Sequence, residues 1–167
     1  PVIVTNNYAD VATILVPTRQ PRPGFTYTNR IIYTNLGTQT VASGTLSFTK
    51  DARVTITANS QTGTVTTPTG FTYNFTNLLP FEIRTINVTM QVPTIPTVAL
   101  GNLLTNSVSI TPLTGDVVPA NNATSISQIV IGSYDPNDKM EARGEQILHS
   151  SFTSNDYLTY TIRFENT

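Results

Sequence analysis

Apolar and polar residues alternate along nearly the whole chain, and this alternation restricts the fold more than any other feature. Between residues 25 and 34, one set of alternate positions holds Phe25, Tyr27, Ile31 and Tyr33, whereas the other set is mostly threonine and other polar residues. A period of two is that of a strand with one buried face. The segment is therefore predicted to be a half-buried β-strand.

Seven further segments share this pattern and are rich in β-branched and aromatic residues, which strands favour. Clusters of proline, glycine and asparagine separate them and predict turns. Residues 139–146 form the one weakly helical segment, although Gly144 opposes a helix there. Besides 25–34, strands are expected over 10–16, 40–49, 53–58, 71–77, 82–92, 103–111 and 123–131.

Seven or eight short strands without helices predict an all-β fold, an antiparallel β-sandwich of immunoglobulin-like type. A closed β-barrel is the competing prediction. The chain has no cysteine or tryptophan, so its core cannot be a disulfide packed on an indole ring. Aromatic residues are expected to fill the core, namely Phe25, Tyr27, Tyr33, Phe48, Phe71, Tyr73 and Phe75.

Residues 24–35 and 155–166 resemble each other at a constant offset of 131, each ending in an aromatic residue two positions before an asparagine. A period of this size suggests tandem domains. We interpret residues 1–132 as one immunoglobulin-like β-sandwich, and 133–167 as the linker and opening strand of a following, incomplete sandwich. The apolar face of 157–165 would then lack its own sheet. We expect it to pair with the first domain or with another chain.

Composition excludes several classes of function. Only 11% of residues are charged and the net charge is −1, so the basic field that nucleic-acid binding requires is missing. No stretch approaches the ~20 apolar residues of a membrane span. A β protein without disulfides fits a bacterial exported protein better than a small eukaryotic secreted module. Because the chain starts at Pro1-Val2 without a signal peptide, we expect it to be an internal fragment.

The segment from Ser133 to Lys139 concentrates oxygen-bearing side chains at the expected domain boundary. Carboxylates and amides are the ligands that calcium prefers, and a bound ion there would stiffen the linker. The alternative is an ordinary turn, in which Pro136 and the Asp and Asn side chains shape the backbone. The predicted metal ligands are Asp135, Asn137, Asp138, Glu141 and Asp156, with Glu145 as a further candidate.

Asp116, Asn121 and Asn122 form a second oxygen-rich group. The strand expected over 123–131 separates it from the boundary, and a strand of that length spans roughly 30 Å. We therefore interpret these three side chains mainly as turn residues.

Residues suited to catalysis lack a convincing context. His149 is the only histidine and lies in a polar stretch expected to be a loop, so a Ser-His-Asp triad has little support. Asp51 and Glu82 could in principle form a glycosidase pair, but ordinary surface acids explain both. No catalytic residue and no enzymatic activity are predicted.

Three segments also resemble a known group of modules. Residues 27–37 resemble the strand that opens bacterial conserved-repeat, cell-adhesion-related β-sandwich domains, and 114–123 are similar to the segment that closes them. Residues 133–139 followed by 158–167 resemble a repeat of large exported surface proteins of the Bacteroidota, many of which use the type IX secretion system. The resemblance implies an extracellular, multidomain setting without enzymatic activity.

These observations predict a non-catalytic spacer module of a secreted or cell-surface bacterial protein, adhesin-like, with calcium as the one expected cofactor. Its expected partners are neighbouring domains of the same polypeptide and an extracellular protein or glycan. The alternative is a carbohydrate-binding accessory module attached to a secreted enzyme. The aromatic residues argue against that alternative, because they occupy core-facing positions.

Overall fold

The computed structural model of the protein describes residues 6–111, 115–132, 138–142 and 149–163, with the backbone alone at 138–141, 151 and 163. The chain divides into two compact units, Pro1–Gly132 and Ser133–Thr167.

The described residues of unit 1 form nine strands in two sheets, and all neighbouring strands are antiparallel. One sheet has the order β1-β2-β7-β4 and the other β5-β6-β3-β8-β9. The prediction of an all-β, immunoglobulin-like antiparallel sandwich is confirmed, and two separate sheets rule out the closed barrel. The strands are β1 (Val11–Pro17), β2 (Thr26–Asn35), β3 (Val41–Thr49), β4 (Thr55–Asn59), β5 (Val65–Thr67), β6 (Gly70–Leu78), β7 (Ile83–Gln91), β8 (Leu103–Ile110) and β9 (Ala123–Ile129).

Every strand predicted in unit 1 is present, with its ends within about two residues of the expected positions. The sequence did not predict β5, which is only three residues long and carries the exposed Val65. It pairs with β6 across the two-residue turn Pro68-Thr69. A strand this short has no apolar alternation to reveal it.

The core lies between the two sheets and is built on aromatic residues. Tyr33 from one sheet packs against Phe75 from the other, with ring centroids 5.4 Å apart. Phe48 and Phe71 pair at the same distance. The expectation that Phe25 fills the core is wrong: it precedes β2, outside the alternation, and is 59% exposed. Tyr73 is only partly buried, at the margin of the core.

The sandwich is closed along one side and open along the other. On the closed side, β1 and β9 belong to different sheets and are joined by the Thr124 hydroxyl, which donates to the Thr13 carbonyl at 2.7 Å. On the open side, β4 and β5 are the outermost strands. A bulge between Ile56 and Ala58 interrupts the pairing of β4 with β7.

In unit 2, β10 (Asp138–Glu141) and β11 (Tyr160–Arg163) form an antiparallel pair, and His149–Ser151 form a 3₁₀ turn. The weakly helical expectation for 139–146 is therefore wrong over 139–141, where backbone pairing with β11 overrides a weak local preference. β11 lies within the predicted strand 157–165. Pairing of that segment with the first domain or another chain stays a prediction.

Candidate functional site

A chain of buried polar side chains crosses the core of unit 1. Asn106 on β8 donates from Nδ2 to the Tyr27 hydroxyl at 3.0 Å and to Asn29 Oδ1 at 2.8 Å, both on β2. Asn29 donates to Gln128 Oε1 on β9 at 2.7 Å, and Gln128 donates to the Arg19 carbonyl at 3.0 Å. The three amide side chains are at most 6% exposed. They join the two sheets through hydrogen bonds shielded from water.

Burial raises the pKa of the Tyr27 phenol, and the hydrogen bond from Asn106 only partly offsets this effect. Tyr27 therefore stays neutral and accepts the Asn106 amide proton at any ordinary pH. One polar residue at a buried position of a predicted strand could have indicated this network. Asn29 occupies the buried phase of the alternation in β2, where an uncompensated amide would be costly.

Asp51, a candidate catalytic acid, is the centre of a group of hydrogen bonds that joins the loop after β3 to β8. It follows β3, and its carboxylate accepts from Arg53 Nε and Nη2, both at 2.8 Å, and from the Thr105 N–H of β8 at 2.9 Å. Its own N–H donates to Asn106 Oδ1 at 2.8 Å. Hydrogen bonds from Arg53 are the main reason why the pKa of Asp51 falls to about 2.

This lowered pKa predicts a specific acid sensitivity. The Asp51 carboxylate stabilises the folded state fully above its unfolded pKa of about 3.9, and this stabilisation is lost as the pH falls through about 2. Asp51→Asn should therefore cost about 2 kcal/mol of unfolding free energy at pH 5, and the cost should shrink towards pH 2. Urea unfolding at several pH values measures it. Glu82→Gln, which breaks a more exposed ion pair, is the comparison and should cost less than Asp51→Asn at pH 5. An Asp51→Asn deficit that does not change with pH would contradict the assignment.

Glu82 is also held in an ion pair. It accepts from Arg84 Nε at 2.7 Å and from the Leu79 N–H at 2.7 Å, and these bonds lower its pKa. It precedes β7, whereas Asp51 lies near the far end of that strand, where Thr55 pairs with Gln91. Nine residues of strand separate the two ends by roughly 30 Å, whereas glycosidase carboxylates lie about 5–9.5 Å apart. The two acids do not form such a pair.

Asp10, Asp116, Asn121 and Asn122 meet at the end of the sandwich where β1 and β9 begin, and we call them the carboxylate–amide cluster. Asn121 donates from Nδ2 to Asp10 Oδ1 at 3.0 Å, and Asn122 donates to Asp116 Oδ2 at 3.3 Å. Asp10 and Asn122 are only 6% and 5% exposed. The Oδ1 atoms of both asparagines are buried and have no hydrogen-bond partner among the described residues.

Asp116 also has the turn role expected of it, because its Oδ1 accepts from the Val118 N–H at 2.9 Å. Its Oδ2 reaches the Val11 N–H of β1 at 3.1 Å, and Val117 donates to the Ala9 carbonyl at 3.0 Å. The sequence grouped Asp116 with the two asparagines but missed Asp10, more than a hundred residues away. Only the fold brings these segments together.

The predicted metal ligands of unit 2 are placed in part. Asp135 and Asn137 lie outside the described residues, as does Glu145. Asp138 and Glu141 are the first and last residues of β10, opposite Arg163 and Tyr160. Asp156 Oδ2 accepts from the N–H and the hydroxyl of Thr153, at 2.8 and 2.7 Å. The calcium site at the boundary therefore stays a prediction.

His149 opens the 3₁₀ turn of unit 2 and is exposed. The Phe152 N–H donates to its carbonyl at 3.4 Å. Its backbone thus helps to close the turn.

Two similar solved structures have the fold of unit 1. The CARDB domain of the PF1109 protein from Pyrococcus furiosus, solved in complex with di-metal ions, has a TM-score of 0.53 at 14% identity, with 78% of this chain and 100% of that chain covered. A cohesin module of a family 33 glycoside hydrolase from Clostridium perfringens has a TM-score of 0.50 at 12% identity, with 77% and 100% covered. At these identities the likeness extends to the fold alone.

In sequence, residues 135–167 match a family described as "Domain of unknown function (DUF7619)". No curated protein is significantly similar. In the described part of the chain, no helix is long and apolar enough to cross a membrane. The sandwich of unit 1 thus has an immunoglobulin-like fold similar to that of this CARDB domain.

Proposed function

We propose that this chain is a non-catalytic spacer module of a secreted or cell-surface bacterial multidomain protein, adhesin-like in its role. The observation that carries the proposal is the use of buried polar groups. The cross-core network from Tyr27 to Gln128 connects strands of different sheets, and Asp51 fixes the loop between them by tying the segment after β3 to β8. Such contacts resist the separation of the sheets, as a spacer under mechanical load requires.

The candidate catalytic acids support the same proposal. Asp51 and Glu82 are held by Arg53 and Arg84 at 2.8 and 2.7 Å. Carboxylates already saturated by guanidinium and backbone N–H groups are poor general bases, because their pKa values are lowered. Their geometry favours a structural role.

The proposal includes an extracellular location, in a surface protein like those that the Bacteroidota export by type IX secretion. It also includes a following domain that begins in unit 2, and a calcium-stiffened linker with ligands from Asp135, Asn137, Asp138, Glu141 and Asp156. NMR relaxation of the backbone amides of 138–142, with calcium and with a chelator, tests the linker. Calcium should slow their motion in the native chain but not in Asp138→Asn.

Single-molecule pulling on the two ends of the full chain tests the spacer role. We expect unit 1 to unfold in one cooperative step that releases roughly 400 Å of chain, from 132 residues at about 3.3–3.6 Å each less the folded length. Asn106→Ala should lower the rupture force. Gradual extension without a rupture event would contradict a load-bearing role.

The alternative, a carbohydrate-binding accessory module, predicts retention of the chain on insoluble polysaccharides. Five of the aromatic residues expected in the core are buried, so they cannot form an exposed platform for sugars. Retention on cellulose, chitin or xylan would overturn the spacer proposal, whereas free passage agrees with it.

A further inference from the structure

The carboxylate–amide cluster brings together two carboxylates whose negative charge is not compensated by a basic side chain of the described residues. Two carboxylates, Asp10 and Asp116, lie at one end of the sandwich, held through neighbouring amides and through the Val11 N–H. In the part of the chain that the structure describes, no lysine, arginine or histidine forms a salt bridge with either of them. Because Asp10 is only 6% exposed, water solvates its charge poorly.

The amides add a second, independent observation. Asn121 Oδ1 and Asn122 Oδ1 are buried and find no partner in the ranges of the chain that the structure describes, although the nitrogen of each amide contacts a carboxylate. Oxygen and nitrogen of one amide are bonded to the same carbon, so the unpartnered oxygens lie beside the carboxylates. Buried polar atoms are rarely left without a partner in native proteins. A water molecule could satisfy the two oxygens, but it would leave two negative charges uncompensated.

We propose that Asp10, Asp116, Asn121 and Asn122 bind one divalent cation of the calcium type. Two carboxylates and two amide oxygens supply four hard oxygen ligands and a charge of −2, which a divalent ion neutralises. Solvent molecules complete its shell, as is usual for calcium. Asp116 Oδ1 retains acceptor capacity beside its bond from Val118, and Asp10 accepts one side-chain hydrogen bond from the described residues.

The site is separate from the calcium predicted at the domain boundary. It lies where β9 begins, whereas Gly132 follows the other end of that strand. Seven residues of β9 span roughly 23 Å. A cation in the cluster would fasten the entry of β1, in one sheet, to the segment that leads into β9, in the other.

Terbium, a luminescent substitute for calcium, provides a direct test on the full chain. Tyr8 is two residues before Asp10 and can sensitise bound terbium, so excitation of tyrosine should produce terbium emission that calcium displaces. Asp138→Asn removes a ligand of the predicted linker site, so the emission that remains in this variant comes from the cluster. Adding Asp10→Asn, which keeps the size of the side chain but removes one charge, should abolish that remaining emission.

Thermal unfolding with calcium or a chelator provides the second measurement. At a hundredfold excess of calcium over its Kd, the unfolding equilibrium constant of the native chain should fall about 100-fold. Asp10→Asn should lose this response and, in chelator, melt at or above the native temperature because repulsion with Asp116 is removed. Asn121→Asp adds a third carboxylate 3.0 Å from Asp10, so it should be destabilised in chelator and rescued by calcium.

The outcomes separate the possibilities. Terbium emission that survives Asp10→Asn but disappears in Asp138→Asn would place the ion at the linker and overturn the proposal. Absence of emission together with an Asn121→Asp variant that calcium does not rescue would show a turn held by hydrogen bonds and water alone. Emission that survives Asp138→Asn and is lost when Asp10→Asn is added, with rescue of Asn121→Asp, supports the site.

Discussion

Asn106→Ala should lower the free energy of unfolding of unit 1 by about 3 kcal/mol or more. The amide of Asn106 satisfies three groups at once: the Tyr27 hydroxyl, Asn29 Oδ1 and the Asp51 N–H. Each buried group left without a partner costs about 1–3 kcal/mol, and the cavity left by the truncated side chain adds to the loss. Urea unfolding followed by circular dichroism measures the change.

Two control variants distinguish the effect of losing the hydrogen-bond network from the effect of merely shortening a side chain. Tyr27→Phe removes only one hydroxyl from the network and should cost about 1 kcal/mol. Asn74→Ala removes an asparagine from an exposed position on β6, where its Oδ1 accepts from Thr45 at 2.8 Å, and should change stability by less than about 0.5 kcal/mol. If Asn106→Ala and Asn74→Ala cost the same, the core network does not stabilise the fold.

Gly70→Ala should destabilise unit 1 by several kcal/mol, through a backbone clash. A Cβ atom at position 70 would lie 1.9 Å from the Phe48 carbonyl oxygen and 2.9 Å from its carbon. These are main-chain atoms of β3, which pairs with β6 along almost its whole length, so no side-chain rotation relieves the contact. Thermal unfolding should show a loss of well over 5 °C, at a size where 1 kcal/mol shifts Tm by about 2–8 °C.

Gly132→Ala is the matched control, because a Cβ there would meet only the Leu100 side chain at 3.5 Å. This is an ordinary contact, and stability should change by less than about 0.5 kcal/mol. A Gly70→Ala protein as stable as the Gly132→Ala protein would show that β3 and β6 do not approach each other so closely.

The strands of unit 1 could be predicted because alternating apolar and polar residues indicate a strand with one buried face. Tyr27, Ile31 and Tyr33 are buried as the pattern requires. Gly70 shows the limit of such patterns. Beside Pro68 and Thr69 it suggests only a flexible turn, but the structure needs it because another strand passes where a side chain would lie. Close approach between distant segments leaves no periodic signal.

The carboxylate–amide cluster could be predicted in part for the same reason. Asp116 and the two asparagines are close together in sequence, so their turn chemistry is visible. Asp10 joins them only because β1 and β9 lie side by side in the fold. Similarly, the cross-core network joins residues up to about a hundred positions apart, and its signal in the sequence is the position of Asn29 and Asn106 in the buried phase of their strands. The predicted ligands Asp135 and Asn137 lie outside the described residues.

The open side of the sandwich has a consequence for crowding. The bulge between Ile56 and Ala58 interrupts one outer edge, and the other is formed by only three residues, Val65–Thr67. A further strand needs a long, regular row of free N–H and carbonyl groups, and neither edge provides one. Copies of this sandwich held at high local concentration should therefore stay separate molecules instead of merging into continuous intermolecular sheets.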